Sequence, residues 1–378
     1  MSVKIDTKSC MTHKAGKFEF SCEYDEQRIR PLQVEAQVLY RTVADLPILP
    51  DMASQLEEEL IRRSIFGTAA IEGNALSQEQ VDVVLKGGEG RSSEVRAEQE
   101  ILNLQRLYAL LRAKGKCMPQ PLAEATVRSV HEMVTGGIEY YHNSPGRYRN
   151  EMVKVGDAAH GGVYTPPKIL ADIQTLMSEW CDWLNQDALL NGDQMLRAAL
   201  AHYYLGLIHP FQDGNGRTAR FLEGMILHGG GFKYLPQTMS NYYYRRLDAY
   251  FGVFSESRKA GNVTAFLEFF YSGVIESIDN IREQVVSAIR RFSIRDFIAF
   301  QRAERRITKR QYELLDLLLR APINFRLGDL FTDPLLRPLY SAVSESTARR
   351  DLRKLEGEGY LVRPEGLDRY ELNLRMLG

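Results

Sequence analysis

The sequence predicts a mainly α-helical protein that carries one small β-hairpin within its larger part and ends in a separate module of three helices and two strands. Three observations lead there. Apolar residues recur at helical spacing along most of the 378 residues, separated by polar breaks. One stretch between Pro145 and Pro167 switches to short β-like runs. The final part, from residue 307, reads as three helical patterns followed by two strand patterns. A chain of 378 residues exceeds one typical core and implies two or three domains.

In chain order, Ser77 and Gln80 form a capping-box pattern before VDVVL, which predicts a helix starting near Ser77. GGEGRSS is a loop. From Ser93 to Ala113, Ile101, Leu104, Leu107 and Leu111 recur at three- and four-residue steps, so one face of that helix is buried. MVKV and GGVYT, separated by Gly156, Asp157 and Gly161, predict a hairpin over 150–166 standing on a helical body. Helical spacing resumes over Lys168–Asn185 and Asp193–Ile208, and Pro210 lies at or just past the second of these ends. At the C-terminus ITKRQYELLDLLLR, RLGDLF and SESTARRDLRKLEGEGYL read as helices, and YLVR and RYELNL as strands around PEGLD. Three helices and a hairpin make a winged-helix plan.

Apolar residues at 44% and charged residues at 26% are ordinary for a folded protein. A net charge of -1 excludes wholesale coating of nucleic acid or acidic membrane while leaving room for a local basic surface. No segment has the apolar run of a secretory signal or a bilayer span. Cys10, Cys22, Cys117 and Cys181 are far apart and show no metal-finger spacing. They read as reduced thiols, and the expected location is the cytoplasm, with no membrane partner.

The segment from His209 to Arg220, HPFQDGNGRTAR, carries the chemistry. A glycine-rich loop that opens a helix presents backbone N–H groups and the positive end of a helix dipole, which together bind phosphate. Gly214 and Gly216 remove Cβ atoms that would keep phosphates away. Arg217 and Arg220, three apart, are expected on one face, both reaching a polyphosphate. Asp213 offers a hard oxygen for Mg²⁺. His209 is the group able to take a proton near neutrality, and Phe211 is expected to be an inward anchor. A glycine-rich interhelical loop without chemistry is the plain alternative, but it does not require so many fixed residue types.

These residues match the HxFx(D/E)GNGRxxR motif of the Fic family, and the chain resembles those protein adenylylating enzymes. The resemblance implies a Fic-type helical core in which a histidine deprotonates a Ser, Thr or Tyr hydroxyl for in-line attack on the α-phosphate of ATP. Carried over, His209 is the general base and Asp213 the Mg²⁺ ligand. Gly214, Asn215 and Gly216 form the phosphate nest, and Arg217 and Arg220 hold the β- and γ-phosphates. Related Doc toxins, which transfer phosphate, carry Lys where this chain has Gly216, so AMP transfer is favoured. ALAHYYLGLIHPF resembles the helix leading to the motif. PGRYRNEMVKVGD and HGGVYTPP resemble the flap that aligns a target as an added strand.

Thr68-Ala69-Ala70-Ile71-Glu72-Gly73-Asn74 resembles the (S/T)xxxE(G/N) inhibitory helix of Fic proteins, in the N-terminal position. The resemblance implies that Glu72 pairs with Arg220 and repels the triphosphate, or positions water to remove AMP from a modified target. A plain helix end explains Gly73 equally well. The resulting organisation is an N-terminal helical region over 1–115 with the inhibitory helix at about 60–74, and a core over 116–287 with flap 150–166 and motif 209–220. A basic helical linker over 288–306 and a winged-helix domain over 307–378 follow.

His131, His202 and His228 have no partner at metal-ligand spacing and read as structural. Among Tyr242, Tyr243, Tyr244 and Tyr250, which follow the motif, Tyr250 is the expected nucleotide contact, since an aromatic face suits adenine. The basic stretch from Arg290 to Arg310 reads as a solvated helix face or domain joint. On the helix resembling a recognition helix, Arg349, Arg350, Arg353 and Lys354 are candidates for DNA contact, although winged helices also dock proteins. The expected partners are therefore ATP, a target protein, the protein itself, a second copy in a homodimer, and DNA. Two readings stand: an autoinhibited adenylyltransferase, and a DNA-binding regulator whose core senses nucleotide or acts mainly in AMP removal.

Overall fold

The computed structural model describes residues 5–13, 16–88, 95–113, 120–138, 143–364 and 367–376. Cys117, residues 89–93 of the expected GGEGRSS loop, and residues 365 and 366 of the expected PEGLD turn lie outside them. The chain divides into two compact units, Met1–Asp45 with Pro50–Ile281, and Leu46–Leu49 with Arg282–Gly378.

The first unit opens with a hairpin, not with a helix. Strand β1 (Lys8–Thr12) pairs antiparallel with β2 (Gly16–Phe20). Alternation along Lys17-Phe18-Glu19-Phe20 sends both phenylalanines to one face, where Phe20 is fully buried and meets the rings of Trp183 and Tyr204. Helix α1 (Glu26–Ala44) is capped by Asp25, whose carboxylate accepts from the N–H groups of Gln27 and Arg28. Helix α2 (Pro50–Ile71) follows, and α3 (Gln78–Leu85) opens with the capping box of Ser77 and Gln80. In α4 (Val95–Ala113) the stripe of Ile101, Leu104, Leu107 and Leu111 is buried, as its spacing requires.

Helices α5 (Glu124–Thr135), α6 (Leu170–Leu184), α7 (Asp187–Leu190), α8 (Gln194–Ile208) and α9 (Asn215–Gly229) build the body. Every residue of α8 from Gln194 to Leu205 is buried, which marks it as the central helix. It packs along α9, so the loop joining them starts and ends on rigid elements. Helices α10 (Met239–Arg245), α11 (Leu247–Ala260) and α12 (Thr264–Ala303) follow. Helices α2 and α10 approach closely at Gly67, where a Cβ would lie 3.0 Å from the Ser240 carbonyl oxygen.

The expected flap hairpin is reduced to one antiparallel bridge, Val155 with Tyr164. Gly156, Gly161 and Gly162 take φ values of 86°, 91° and 100°, conformations that turn the chain instead of extending a ladder. The tip closes on itself through a hydrogen bond from Gly162 N–H to the Asp157 carbonyl at 2.8 Å.

In the second unit α12 contributes Ile294 and Ile298 to a core shared with α13 (Lys309–Arg320), α14 (Asp329–Thr332), α15 (Arg337–Tyr340) and α16 (Glu345–Gly357). Strands β3 (Leu361–Val362) and β4 (Glu371–Leu372) pair antiparallel, and Phe325 bridges Tyr370. RLGDLF, expected to be one helix, yields only the four residues of α14, with α15 as an additional turn. Buried Asp351 joins three elements, accepting from Arg310 Nε at 2.8 Å, Gln311 Nε2 at 3.0 Å and Tyr340 Oη at 3.5 Å. The expected linker over 288–306 begins inside α12, which continues to Ala303. Among the described residues no helix is long and apolar enough to cross a membrane.

Candidate active site

The site is built on the loop between α8 and α9. His209 ends α8 in the left-handed conformation, φ 47° and ψ 60°. That region costs a residue with a β-carbon about 1–2 kcal/mol, so the surroundings must hold it there. Gly214 opens α9 at φ 75°. Asn215 closes the loop between them: its Oδ1 accepts from Phe211 N–H at 2.9 Å and its Nδ2 donates to the Phe211 carbonyl at 2.8 Å. Its side chain is thus a lock on the loop, leaving its backbone N–H, with those of Gly216 and Arg217, in the first turn of a helix where such groups lack intrahelical partners.

Phe211 is fully buried, as expected of an anchor, and stacks on His131 with ring centroids 3.7 Å apart. Burial pushes the His131 pKa down to about 4, so the ring is neutral near pH 7. Its Nδ1 accepts from Gly146 N–H at 3.0 Å, which leaves Nε2–H to donate to the Asp213 carbonyl at 2.9 Å. His131 therefore ties the loop to the segment leading into the flap, a structural role as expected.

A cavity of about 310 Å³ lies beside this loop, lined by Glu72, Gly156, Tyr164, His209, Asn215, Gly216, Arg220, Tyr250 and Phe254 among others. That volume is at the small end of ligand sites. Arg220 is 4% exposed, and each of its three guanidinium nitrogens donates a hydrogen bond. Its Nη2 donates to Glu72 Oε1 at 2.6 Å and to the Thr68 carbonyl at 3.1 Å, Nε to Thr68 Oγ1 at 2.8 Å, and Nη1 to Tyr250 Oη at 3.2 Å. Glu72 reaches over Gly216 so closely that a Cβ there would be 2.2 Å from Glu72 Oε1. Gly73, at φ 82°, is the left-handed residue after α2, so the helix-end reading of that glycine holds alongside the placement of Glu72.

Tyr250 lines the cavity, but one face is stacked on Tyr243 at 4.7 Å and its hydroxyl is committed to Arg220 and to His202 Nε2 at 2.9 Å. His202 is buried against Glu223, with Nδ1 2.6 Å from Oε2. It belongs to a polar chain running from Glu223 to Glu72.

Arg217 and Arg220 are three apart but do not end in one place. Arg217, 2% exposed, turns toward α4, with Nη1 3.3 Å from Glu100 Oε1 and Nη2 3.3 Å from Asp213 Oδ1. Glu100 also accepts from Asn74 Nδ2 at 2.9 Å, at the end of the Thr68–Asn74 stretch. Asp213 Oδ1 accepts from Gly214 N–H at 2.6 Å, and the carboxylate side chain remains 30% exposed. A magnesium ion carried by a triphosphate takes one or two carboxylates and keeps waters. No group of three or more His, Cys, Asp or Glu able to cage a metal occurs among the described residues. The partly exposed Asp213 carboxylate is a single hard-oxygen donor of the kind such a nucleotide-borne cation takes.

Burial, ahead of the nearby charge of Arg149, pushes the His209 pKa down to about 4. The imidazole is thus a free base at neutral pH. On the flap side Tyr164 lies under the Arg258 guanidinium, 5.0 Å from ring to Cζ. His160 is clamped at the flap tip, Nδ1 2.9 Å from Asp157 and Nε2 3.1 Å from Asp248 of α11. These two hydrogen bonds raise its pKa.

Sequence reasoning did not single out Thr68, Asn74, Glu100, Arg149, Glu223 or His160. Thr68 and Asn74 stood inside the quoted inhibitory stretch, and Arg149 and His160 inside the flap; Glu100 and Glu223 carried no local signal. In the second unit Arg349, Arg350 and Arg353 are exposed on α16. Arg349 pairs with Glu345 at 2.7 Å, and Lys354 donates to the Arg306 carbonyl.

Residues 121–227 match the sequence profile of the Fic/DOC family. The chain is 33% identical over 186 residues to protein adenylyltransferase fic-1 of Caenorhabditis elegans, covering 47% of this chain and 34% of that protein. It is 28% identical over 231 residues to protein adenylyltransferase Fic of Drosophila willistoni, covering 59% and 42%. This chain thus spans well under two thirds of either relative. Among solved structures, a Fic family protein from Desulfovibrio desulfuricans has the same fold, with a TM-score of 0.59 at 22% identity over 93% of this chain and 98% of that one. Residues 134–508 of fic-1 from C. elegans superpose with a TM-score of 0.54 at 25% identity over 68% and 71%. The complete HxFx(D/E)GNGRxxR motif on the α8–α9 loop falls inside that profile, which runs from α5 to α9, so over residues 121–227 the chain is similar to the Fic/DOC family.

Proposed function

We propose that this protein is an autoinhibited protein adenylyltransferase that moves AMP from ATP to a Ser, Thr or Tyr hydroxyl of a target protein or of itself. The observation that carries the reading is the meeting of His209, the Asn215–Gly216 backbone and Arg220 on one cavity, with Glu72 seated on Arg220. The names of the relatives in C. elegans and D. willistoni support it.

In this reading neutral His209 accepts the target's hydroxyl proton. The hydroxyl oxygen bonds to the α-phosphorus while the bond from that phosphorus to the bridging oxygen breaks, and diphosphate leaves with the electron pair. The first-turn N–H groups of α9 hold phosphate oxygens. Arg217 and Arg220 neutralise the β- and γ-phosphates, Arg217 on leaving Glu100 and Arg220 on leaving Glu72. Asp213 would hold Mg²⁺, which would supply further neutralisation of phosphate charge when bound. Gly216 lets Glu72 and the phosphates compete for the same ground: a carboxylate there repels a triphosphate. The same Glu72 can instead orient a water for AMP removal.

The test is mass spectrometry on Glu72→Gly protein incubated with ATP, Mg²⁺ and cell lysate. AMP appears on a hydroxyl residue, and His209→Ala abolishes it. Phosphate in place of AMP, or transfer that survives His209→Ala, refutes the assignment. A protein supplied already modified that loses AMP faster with Glu72 present selects the removal reading.

A second reading, in which the C-terminal unit is a winged-helix domain that binds DNA, draws on the exposed Arg349, Arg350 and Arg353 of α16. A DNA shift by the full chain should then weaken as salt rises, because phosphate contacts release counterions. Insensitivity to salt, or to Arg350→Glu with Arg353→Glu, removes it.

A further inference from the structure

Arg149 is a buried guanidinium, 4% exposed, whose side-chain hydrogen bonds among the described residues all end on backbone carbonyls. Nε donates to His209 O at 2.7 Å, Nη1 to Glu151 O at 2.7 Å, and Nη2 to Pro167 O at 2.7 Å and Ile208 O at 3.5 Å. Its own backbone N–H donates to Pro210 O at 2.9 Å. Burial of a cation without a carboxylate partner is unfavourable, and burial pulls its pKa down to about 10. The acceptors come from both ends of the flap and from the end of α8. They flank the His209 residue, which is held in the left-handed region at φ 47°.

We infer that Arg149 is a positioning residue for the transfer proposed above: its planar fork fixes the main chain of His209 and thereby aims the imidazole, and it anchors both ends of the flap to that same point. The inference rests on the reading of His209 as proton acceptor. A lysine keeps the charge but lacks the rigid fork that meets several carbonyls at once. Arg149 is not among the residues lining the cavity, so it acts through His209 and not by touching nucleotide.

The experiment uses the full chain with Glu72→Gly, alone and combined with Arg149→Lys or Arg149→Met, and follows self-modification with labelled ATP. Both substitutions lower kcat by about 100-fold, the scale of a displacement of about 1 Å at a reacting group, while KM for ATP stays within about threefold. The charged groups acting on the imidazole are Arg149, Glu72 and Asp213, of which Arg149 and Asp213 remain in the Glu72→Gly protein. Arg149→Met therefore also moves the acid limb of the rate profile to higher pH, and Arg149→Lys leaves it in place. Thermal unfolding checks that each variant is folded, and Arg149→Lys stands in if Arg149→Met is not. The His209 ring titration, followed by NMR in the same proteins, gives a readout free of turnover. A kcat within about threefold of the parent in folded variants overturns the inference, as does a loss shared equally with ATP affinity. If the Glu72→Gly parent itself transfers no AMP, the functional reading fails; the His209 backbone and ring resonances then decide on Arg149, unmoved positions in folded Arg149→Lys overturning its role and a displacement supporting it.

Discussion

Replacing Glu72 by glycine removes the carboxylate that lies 2.6 Å from a guanidinium whose side chain is 2% exposed. A charge-assisted hydrogen bond of this kind contributes about 1.5–3 kcal/mol. The carboxylate is itself 27% exposed, so solvent screening holds the value near the middle of that range, about 2 kcal/mol. Two consequences share that number. Nucleotide-free Glu72→Gly protein is less stable to urea by about 2 kcal/mol, since a buried cation has lost its partner. ATP then binds about 30-fold more tightly, because 1.4 kcal/mol is a factor of ten and the phosphates no longer displace a carboxylate. Calorimetric titration in a His209→Ala background measures affinity without turnover. Glu72→Gln, which keeps the oxygen but not the charge, falls between. The same ATP affinity in all three proteins would show that Glu72 does not contend with phosphate for Arg220, and the brake would have to be abandoned.

Folding stability should fall with acid in a defined window. His131 and His209 are held near pKa 4 when folded against 6.5 unfolded; above 6.5 both states are neutral and the contribution is complete. As pH drops from there toward 4, the unfolded chain takes up protons first and stability declines. His131→Gln makes the decline in urea-unfolding free energy shallower between about pH 6.5 and pH 5; an unchanged slope refutes the neutral ring. Gly214→Ala puts a side chain at φ 75°, with its Cβ 2.7 Å from Thr135 Cγ2 and 3.3 Å from His131 Nε2. The left-handed cost alone is about 1–2 kcal/mol, so a urea-measured loss of at least that size is expected, and a change below about 0.5 kcal/mol counts against the loop geometry.

Local chemistry made much of this legible in the sequence. Ser77 with Gln80 announced the start of α3, and Phe211 announced a buried anchor, because caps and apolar spacing act over a few residues. The hairpin of β1 and β2 escaped notice: its alternation, Lys17-Phe18-Glu19-Phe20, is too short to stand out, and only packing on Trp183 and Tyr204 makes it worthwhile. A change to basic composition near residue 288 looked like a linker, yet surface charge does not break a helix, and α12 has no proline to stop it. The three-residue spacing of Arg217 and Arg220 was read as one destination. Long side chains on neighbouring parts of a helix can diverge, and here the partners Glu100 and Thr68, distant in sequence, draw them apart. Arg149 is invisible for the same reason, since apart from Glu151 O the carbonyls its side chain reaches, those of Pro167, Ile208 and His209, are supplied by folding and not by its own neighbours in the chain.

Thr68 and Tyr250 grip Arg220 at three of its hydrogen bonds that do not involve Glu72. With the carboxylate displaced as proposed, these three bonds would still hold the guanidinium's rotamer and direction. An arriving anion therefore meets a group already frozen in place, and association forgoes the loss of side-chain freedom, about 0.5–1.5 kcal/mol, that a floppy arginine would impose.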